Sequence, residues 1–311
     1  MKAVILAAGK GSRLYPLTHH IPKPLLPLAN RPTMYYAFDR LKEIGATDIC
    51  IVVGENESYM RNALGDGSQF GIKLSYVRQP EAKGLAHAVG YAKDFVNGEP
   101  FVLYLGDAIY DSPFYEQAKR FLESDAACLT IVMPVEDPSP FGIVILDEQG
   151  HVKKLVEKPK EFISDLCLIG MYYFRSQLWE VLPELQPSAR GEYEITDSMQ
   201  LLVNHGYTVL PGIFKGTWYD TGTLNSFLET SHFLAGGKNL IEGQVSGRIG
   251  ERVVIGPGAS VSCEAIEDAV IMPGSQVKVT GVIRHSLIGG VVDRAGDIVN
   301  ERVWDAEVLI G

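Results

Sequence analysis

Residues 1–32 read MKAVILAAGKGSRLYPLTHHIPKPLLPLANRP. The apolar run 3–8 has the length and composition of a buried strand. It opens into Ala8-Gly9-Lys10-Gly11-Ser12-Arg13. Glycines there let backbone N–H groups come close to an anion, and Lys10 and Arg13 add positive charge. Lys23 follows between Pro22 and Pro24, whose fixed φ stiffens the arm that carries it. A strand, a glycine-rich turn and three cations make a place to hold a polyphosphate. Two common phosphate loops do not fit. G-x-x-x-x-G-K-[ST] fails because Gly9-Lys10 runs into Gly11. G-x-G-x-x-G fails because its third glycine position is Leu14. Any α/β protein also needs a turn after its first strand, so glycines alone would decide little.

Working outward, apolar runs alternate with amphipathic stretches up to about residue 110. The pattern predicts helices over 34–44, 59–64 and 85–95, and strands over 48–53, 73–77 and 101–105. Such alternation implies an α/β fold: a Rossmann-like mixed, mainly parallel sheet flanked by helices. In open sheets of this kind ligands bind beyond the carboxyl ends of the strands. Gly9, Gln79 and Asp107 all lie just past such ends and are expected to converge. From 128 to 174 strands follow in closer succession, over 128–132, 143–146, 152–156 and 168–174. A helix over 196–204 and a strand over 207–214 lead to Trp218-Tyr219-Asp220-Thr221-Gly222-Thr223, with a helix over 224–234.

Residues 235–239 read as a linker, dividing a catalytic domain, 1–236, from a smaller module, 237–311. In that module aliphatics recur every six residues at Ile249, Ile255 and Val261, then in another frame at Ile271, Val277 and Ile283. Short hexad repeats are the pattern of a parallel β-helix. The frame breaks near Ala265, as a run of irregular strands would also do.

The chain of 311 residues is long enough for one large core plus a module. Its net charge of −10 argues against a general nucleic-acid or anionic-membrane surface. Cys50, Cys128, Cys167 and Cys263 form no CxxC pair, so neither a disulfide framework nor a zinc site is expected, and a reducing cytoplasm fits. No apolar run reaches the length of a membrane span.

The spacing Gly9, Gly11, Ser12, Arg13, Leu14, Pro16, Leu17, Thr18, then Pro22, Lys23, Pro24, Leu25, Pro27, and finally Arg31-Pro32, resembles the sugar-1-phosphate nucleotidyltransferases. It is most similar to the glucose-1-phosphate thymidylyltransferase group within them, in its long form. The resemblance implies attack by a sugar-1-phosphate oxygen on the α-phosphorus of a nucleoside triphosphate, with release of pyrophosphate. It also implies a short left-handed β-helix after the catalytic domain. A phosphate is already a nucleophile, so the site is expected to hold cations and metal-binding carboxylates, without a Ser–His pair.

By the resemblance, Leu6, Gly9, Gly11, Ser12, Arg13, Gln79 and Gly84 bind the nucleotide. Asp107 and Asp220 hold Mg2+, and Arg13, Lys23, Asp107, Lys158 and Asp220 are the catalytic set. Phe141, Gly142, Glu157, Lys158, Gly170 and Arg190 bind the sugar phosphate. The residue types suit these roles. A hard cation takes a few carboxylates plus phosphate oxygens. A glutamine amide can both donate to and accept from a pyrimidine imide edge. A carboxylate accepts from paired hydroxyls, and an ammonium is a compact phosphate partner. Each residue also has a plainer reading: an aspartate at a strand end is a common helix cap, and Glu-Lys before a proline is a common surface turn.

The chain departs from the family at two places. Ala108 stands where Asn often follows Leu-Gly-Asp, and Pro24 where Gln often follows the Pro-Lys pair. The second change removes a contact to the nucleotide sugar, so dTTP and UTP both stay open as the triphosphate, with glucose 1-phosphate or another hexose 1-phosphate as acceptor. Two other readings are a ligand-sensing subunit without activity and a bifunctional enzyme whose module transfers an acyl group. Retention of the charged set opposes the first. The second has few coils and a single histidine in the module, His285. A homo-oligomer assembled through the β-helix is expected, because flat coil faces are apolar.

Overall fold

The computed structural model describes residues 1–305, so residues 306–311 of the expected module lie outside the described residues. The chain divides into two compact units, residues 1–9 with 37–218, and residues 10–36 with 219 onward.

The first unit is built on a mixed sheet of nine strands: β1 (Lys2–Ala7), β2 (Asp48–Val53), β3 (Lys73–Arg78), β4 (Phe101–Leu105), β5 (Cys128–Pro134), β6 (Gly142–Leu146), β7 (Val152–Glu157), β8 (Leu166–Phe174) and β9 (Val209–Ile213). Their order is β7-β6-β8-β4-β1-β2-β3, with β5 on β8 and β9 on β5. The strands β4, β1, β2 and β3 are mutually parallel. β8 runs against β4 and β5, and β6 against β7. Ala3, Val4 and Ile5 are fully buried, as a central strand covered on both faces requires. The core on one face joins Val4, Leu6, Cys50, Val52, Val89, Leu103 and Met199. Burial of such side chains contributes about 1.5–3 kcal/mol each before entropy is counted.

The carboxyl ends of the parallel strands share one edge. Gly106 N–H donates to the Leu6 carbonyl and Gln79 N–H to the Val53 carbonyl, so the turns after β1, β3 and β4 gather there. Gly9, Gln79 and Asp107 all leave the sheet at this edge.

Most helices fall where the periodicity places them, among them Thr33–Glu43, Glu57–Leu64 and Ile195–Asn204. The helix expected over 85–95 is instead two short ones, Leu85–Gly90 and Lys93–Val96. At the break, Tyr91 and Ala92 N–H groups reach back only three residues, to Ala88 and Val89, and the α-helical ladder is lost after Gly90. The helix Tyr115–Glu123, which buries Ala118 and Phe121, has no counterpart among the sequence expectations. Among the described residues no helix is long and apolar enough to cross a membrane.

The second unit holds the glycine-rich loop, a small hairpin, one helix and a stack of coils. The hairpin pairs Pro27–Leu28 with Arg31–Pro32 through Ala29 and Asn30, both at positive φ. The helix Leu224–Leu234 starts at a capping box, in which Thr223 and Ser226 each satisfy the other's backbone N–H. In the coils each strand pairs in parallel with the one a coil further on. Val253 faces Ala269, which faces Ser286, and Ile255 faces Ile271, which faces Ile288, which faces Val303. This pairing is consistent with the expected β-helix.

Of the hexad positions, Ile255, Val261, Ile271, Val277 and Ile283 are buried in the coil core. Ile249 is not, being 41% exposed. The frame break has a local cause. Between Ser246 and Arg248 the register to the next strand slips at Gly247, whose missing side chain lets the Cys263 carbonyl pass close by.

Candidate active site

In the second unit the glycine-rich turn folds back on itself. Gly11 has a left-handed backbone, φ 64, and a Cβ there would lie 3.0 Å from both Lys23 Cβ and Thr18 Cγ2. Thr18 Oγ1 donates to the Gly11 carbonyl at 2.9 Å. The turn and the proline-flanked lysine are thus one packed piece. Ser12–Leu14 make a single 3₁₀ turn and Lys23–Leu25 another. Lys23 is nine-tenths buried, and its Nζ lies 4.0 Å from Asp220 Oδ1. Arg13 Nη2 lies 3.9 Å from Asp220 Oδ2. Gly222 makes room for this arrangement, since a Cβ at that position would fall on the Arg13 guanidinium. Arg13, Lys23 and Asp220, far apart in sequence, therefore form one cation–carboxylate–cation group.

Gly9 sits in the first unit. A Cβ there would meet nothing within 4 Å, and its φ is not in the left-handed region. Nothing inside the fold demands glycine at Gly9, which suits a place kept open for a ligand. Leu6 lies near the end of β1, 7% exposed, and Asp107 is half-buried in the turn after β4.

A second group forms where β6 meets β7. Their register sets Glu157 opposite Gly142, and Lys158 N–H donates to the Phe141 carbonyl at 3.0 Å. Glu157 Oε2 accepts from Thr196 Oγ1 at 2.6 Å. A Cβ at Gly142 would press on that same pair, 2.7 Å from Thr196 Oγ1 and 3.0 Å from Glu157 Oε2. Lys158 Nζ is 3.9 Å and Arg190 Nη2 3.4 Å from Glu157 Oε1. Arg190 is also held by Glu194 at 2.8 Å and Glu192 at 3.3 Å. Burial pushes the Glu157 carboxyl above the usual range, opposed by the Thr196 hydroxyl, while Glu194 adds to the rise and the two cations oppose it. Gly170, at φ 87, sits in a bulge of β8 where the register to β5 slips between Leu168 and Tyr172. Phe141 meets the Trp218 ring edge-on at 5.1 Å, and the Trp218 indole N–H is buried with no hydrogen-bond partner among the described residues.

The third group surrounds Gln79, 5% exposed. Its Nε2 donates to the Gly84 carbonyl at 3.3 Å and to His87 Nδ1 at 2.9 Å. A carbonyl can only accept, so the amide's NH2 end is the one turned toward Gly84 and His87. The amide donors that a pyrimidine imide edge would need are engaged here by Gly84 and His87. Gly84, φ 102, is pressed so closely on the Tyr193 backbone that a side chain would overlap it. Burial, and then the Lys83 charge, push the His87 imidazole below its ordinary pKa, with Glu81 opposing them.

His87, Thr196, Glu194 and Trp218 were not singled out from the sequence. His87 and Glu194 sit beside residues that were, but only the fold shows which neighbours bond. For a metal, no group of three or more His, Cys, Asp or Glu forms a ready cage among the described residues. Asp107 in the first unit and Asp220 in the second are each the donor type that a hard cation takes.

The family model described as "Nucleotidyl transferase" matches residues 2–236. The low-salt glycan biosynthesis nucleotidyltransferase Agl11 of Haloferax volcanii is 36% identical, over 93% of this chain and 92% of its own. A glucose-1-phosphate thymidylyltransferase of Streptomyces antibioticus is 35% identical, over 99% and 94%. Among solved structures, a putative glucose-1-phosphate thymidylyltransferase from Bacillus anthracis, in complex with a sucrose, aligns with TM-score 0.70 and 35% identity, over 78% of this chain and 97% of its own. A UDP-glucose pyrophosphorylase complexed with UDP-glucose aligns with TM-score 0.68 and 28% identity, over 76% and 99%.

Proposed function

The chain belongs to the nucleotidyl transferase family and is a sugar-1-phosphate nucleotidyltransferase, and from that premise we propose that it makes dTDP-glucose from dTTP and glucose 1-phosphate. The observation that carries the reading is the placement of Arg13 and Lys23 on either side of Asp220, in a loop opened by a glycine-rich turn. Such a group neutralises a triphosphate and the charge that builds on it during transfer.

A phosphate oxygen of the sugar 1-phosphate attacks the α-phosphorus. The new P–O bond forms as the α–β bridging bond breaks, and pyrophosphate leaves with the bond's electron pair. Arg13 and Lys23 hold the triphosphate. Glu157 accepts from sugar hydroxyls, and Lys158 and Arg190 hold the sugar phosphate. Gln79 accepts from the base N–H through Oε1. Asp107 and Asp220 would hold Mg2+, which supplies further charge neutralisation at the phosphates. A second reading, UTP as the triphosphate, is favoured by Pro24, which offers no polar side chain to tell deoxyribose from ribose.

Pyrophosphate release over a panel of triphosphates and sugar 1-phosphates tests the reading, with Asp220→Asn as control. We expect dTTP with glucose 1-phosphate to give the highest kcat/KM, and Asp220→Asn to lower turnover by about 100-fold or more. A preference for UTP would select the second reading. Release with no sugar 1-phosphate on the panel would sink both.

A further inference from the structure

The outward face of the coils carries a column of side chains in register: Val254, Val270, Leu287 and Arg302. The first three are buried, on the strands that the helix Leu224–Leu234 contacts. At the last coil the column turns from aliphatic to arginine. Arg302 Nη1 donates to the Arg13 carbonyl at 2.5 Å. The 3₁₀ turn at Ser12–Leu14 closes its own bonds on the Gly11 and Ser12 carbonyls, so the Arg13 carbonyl is the next acceptor in line, and Arg302 takes it.

One residue in from Val303, the Trp304 ring lies over Gly289, its register partner, where a Cβ would fall on the indole. The His20 ring stacks on Trp304 with centroids 4.6 Å apart and planes 9° from parallel. The far end of the same loop is also tied down. Asn30 Nδ2 donates to Glu242 Oε2 at 2.7 Å and to the Ile255 carbonyl at 3.0 Å, and Ala29 N–H donates to Ser231 Oγ at 3.0 Å.

We infer that the last coil, through Arg302 and Trp304, holds the glycine-rich loop in the shape in which Arg13 and Lys23 flank Asp220, so that both are positioning residues for nucleotidyl transfer. The catalytic part of the statement rests on the proposed function. Both ends of Arg13 are then engaged, its carbonyl by Arg302 and its guanidinium by Asp220. Loss of the first contact leaves the short turn free to unwind and the guanidinium free to leave the carboxylate.

The test uses the full-length chain with Arg302→Ala and Arg302→Lys. Limited trypsin digestion without substrate reads the order of the loop directly, because Arg13–Leu14 is a cleavable bond inside it. Steady-state pyrophosphate release, with each substrate varied, reads the consequence. In Arg302→Ala we expect cleavage after Arg13 to quicken about fivefold or more, and kcat to fall about tenfold, as the loss of one charge-assisted bond implies, with KM for the sugar 1-phosphate within about twofold. Arg302→Lys, which can donate to the same carbonyl, should fall between wild type and Arg302→Ala in both measurements. An unchanged cleavage rate would overturn the clamp. Quicker cleavage with unchanged kcat would overturn its role in positioning. A lowered melting temperature with KM raised for both substrates, and no rescue by lysine, would show general destabilisation and also overturn it. A wild-type chain that releases no pyrophosphate would sink the functional reading instead, and the cleavage rates would still decide the clamp.

Discussion

Glu157 shows how one side chain carries opposing demands. The proposed function asks its carboxylate to accept from sugar hydroxyls, yet burial favours the neutral acid, and Thr196, Lys158 and Arg190 only partly compensate. A carboxyl whose folded pKa is raised contributes stability below its unfolded pKa and loses it as pH rises through the folded one. Ionising this carboxyl in the folded chain is therefore a net cost. Glu157→Gln keeps an acceptor for Thr196 Oγ1 without the charge. It should raise the melting temperature at pH 7.5, with the gain shrinking toward pH 4, while KM for the sugar 1-phosphate rises about tenfold. A variant less stable than wild type at pH 7.5 would mean that the cations outweigh burial.

The short helix Leu85–Gly90 positions the group around Gln79, to which the proposed function gives the base. Gly84 turns the chain into it, and Ala86 N–H donates to the Tyr193 carbonyl at 3.0 Å. The helix presents His87 Nδ1 to the Gln79 amide, which leaves the ring's proton on Nε2, 3.5 Å from Tyr91 Oη. Tyr193 stacks beside the ring at 6.1 Å, and Lys83 and Glu81 are the charges that act on it. Protonation would set N–H against N–H and release the amide. Because the His87 pKa is lowered, the bond holds at neutral pH and fails only in acid. KM for the triphosphate should rise as pH falls from 7 toward 5. His87→Ala should raise that KM about tenfold at pH 7.5 and flatten the dependence, as loss of one hydrogen bond implies. A pH profile identical in wild type and variant would remove His87 from base reading. None of this was legible beforehand. The resemblance to the family marks Gln79 and Gly84, whereas the bond to His87 depends on a helix that ends at Gly90, five residues earlier than the apolar pattern suggests.

At the largest scale the coils of the second unit stack, each strand pairing in parallel with strands of the adjacent coils. Ile283 is fully buried and lies in register between Ile266 and Ile298. Ile283→Ala leaves a cavity that its neighbours fill only in part, and it should cost about 2–5 kcal/mol in urea unfolding. Since the last coil carries Arg302 and Trp304, activity should fall at urea concentrations below those that disturb the wild type. A cost under about 1 kcal/mol would place Ile283 outside the coil core.

Sequence alone determined what depends on local order. Periods of two and of 3.6 mark strands and helices because side chains must face a core, and β1, β2 and β4 fall where the apolar runs place them. The hexads mark the coil positions for the same reason, except at Ile249. Residue type and placement marked Arg13 and Lys23 as cations suited to a polyphosphate, and the resemblance to the family marked Asp107 and Asp220. What only the tertiary structure decided are contacts across long stretches of chain. The loop that begins the chain is held by the strand Arg302–Trp304 near its end, and Glu157 meets Thr196 through a register no local pattern encodes. Such pairings depend on which surfaces bury one another best once all elements are present, and a hydrogen bond between distant residues leaves no periodicity behind.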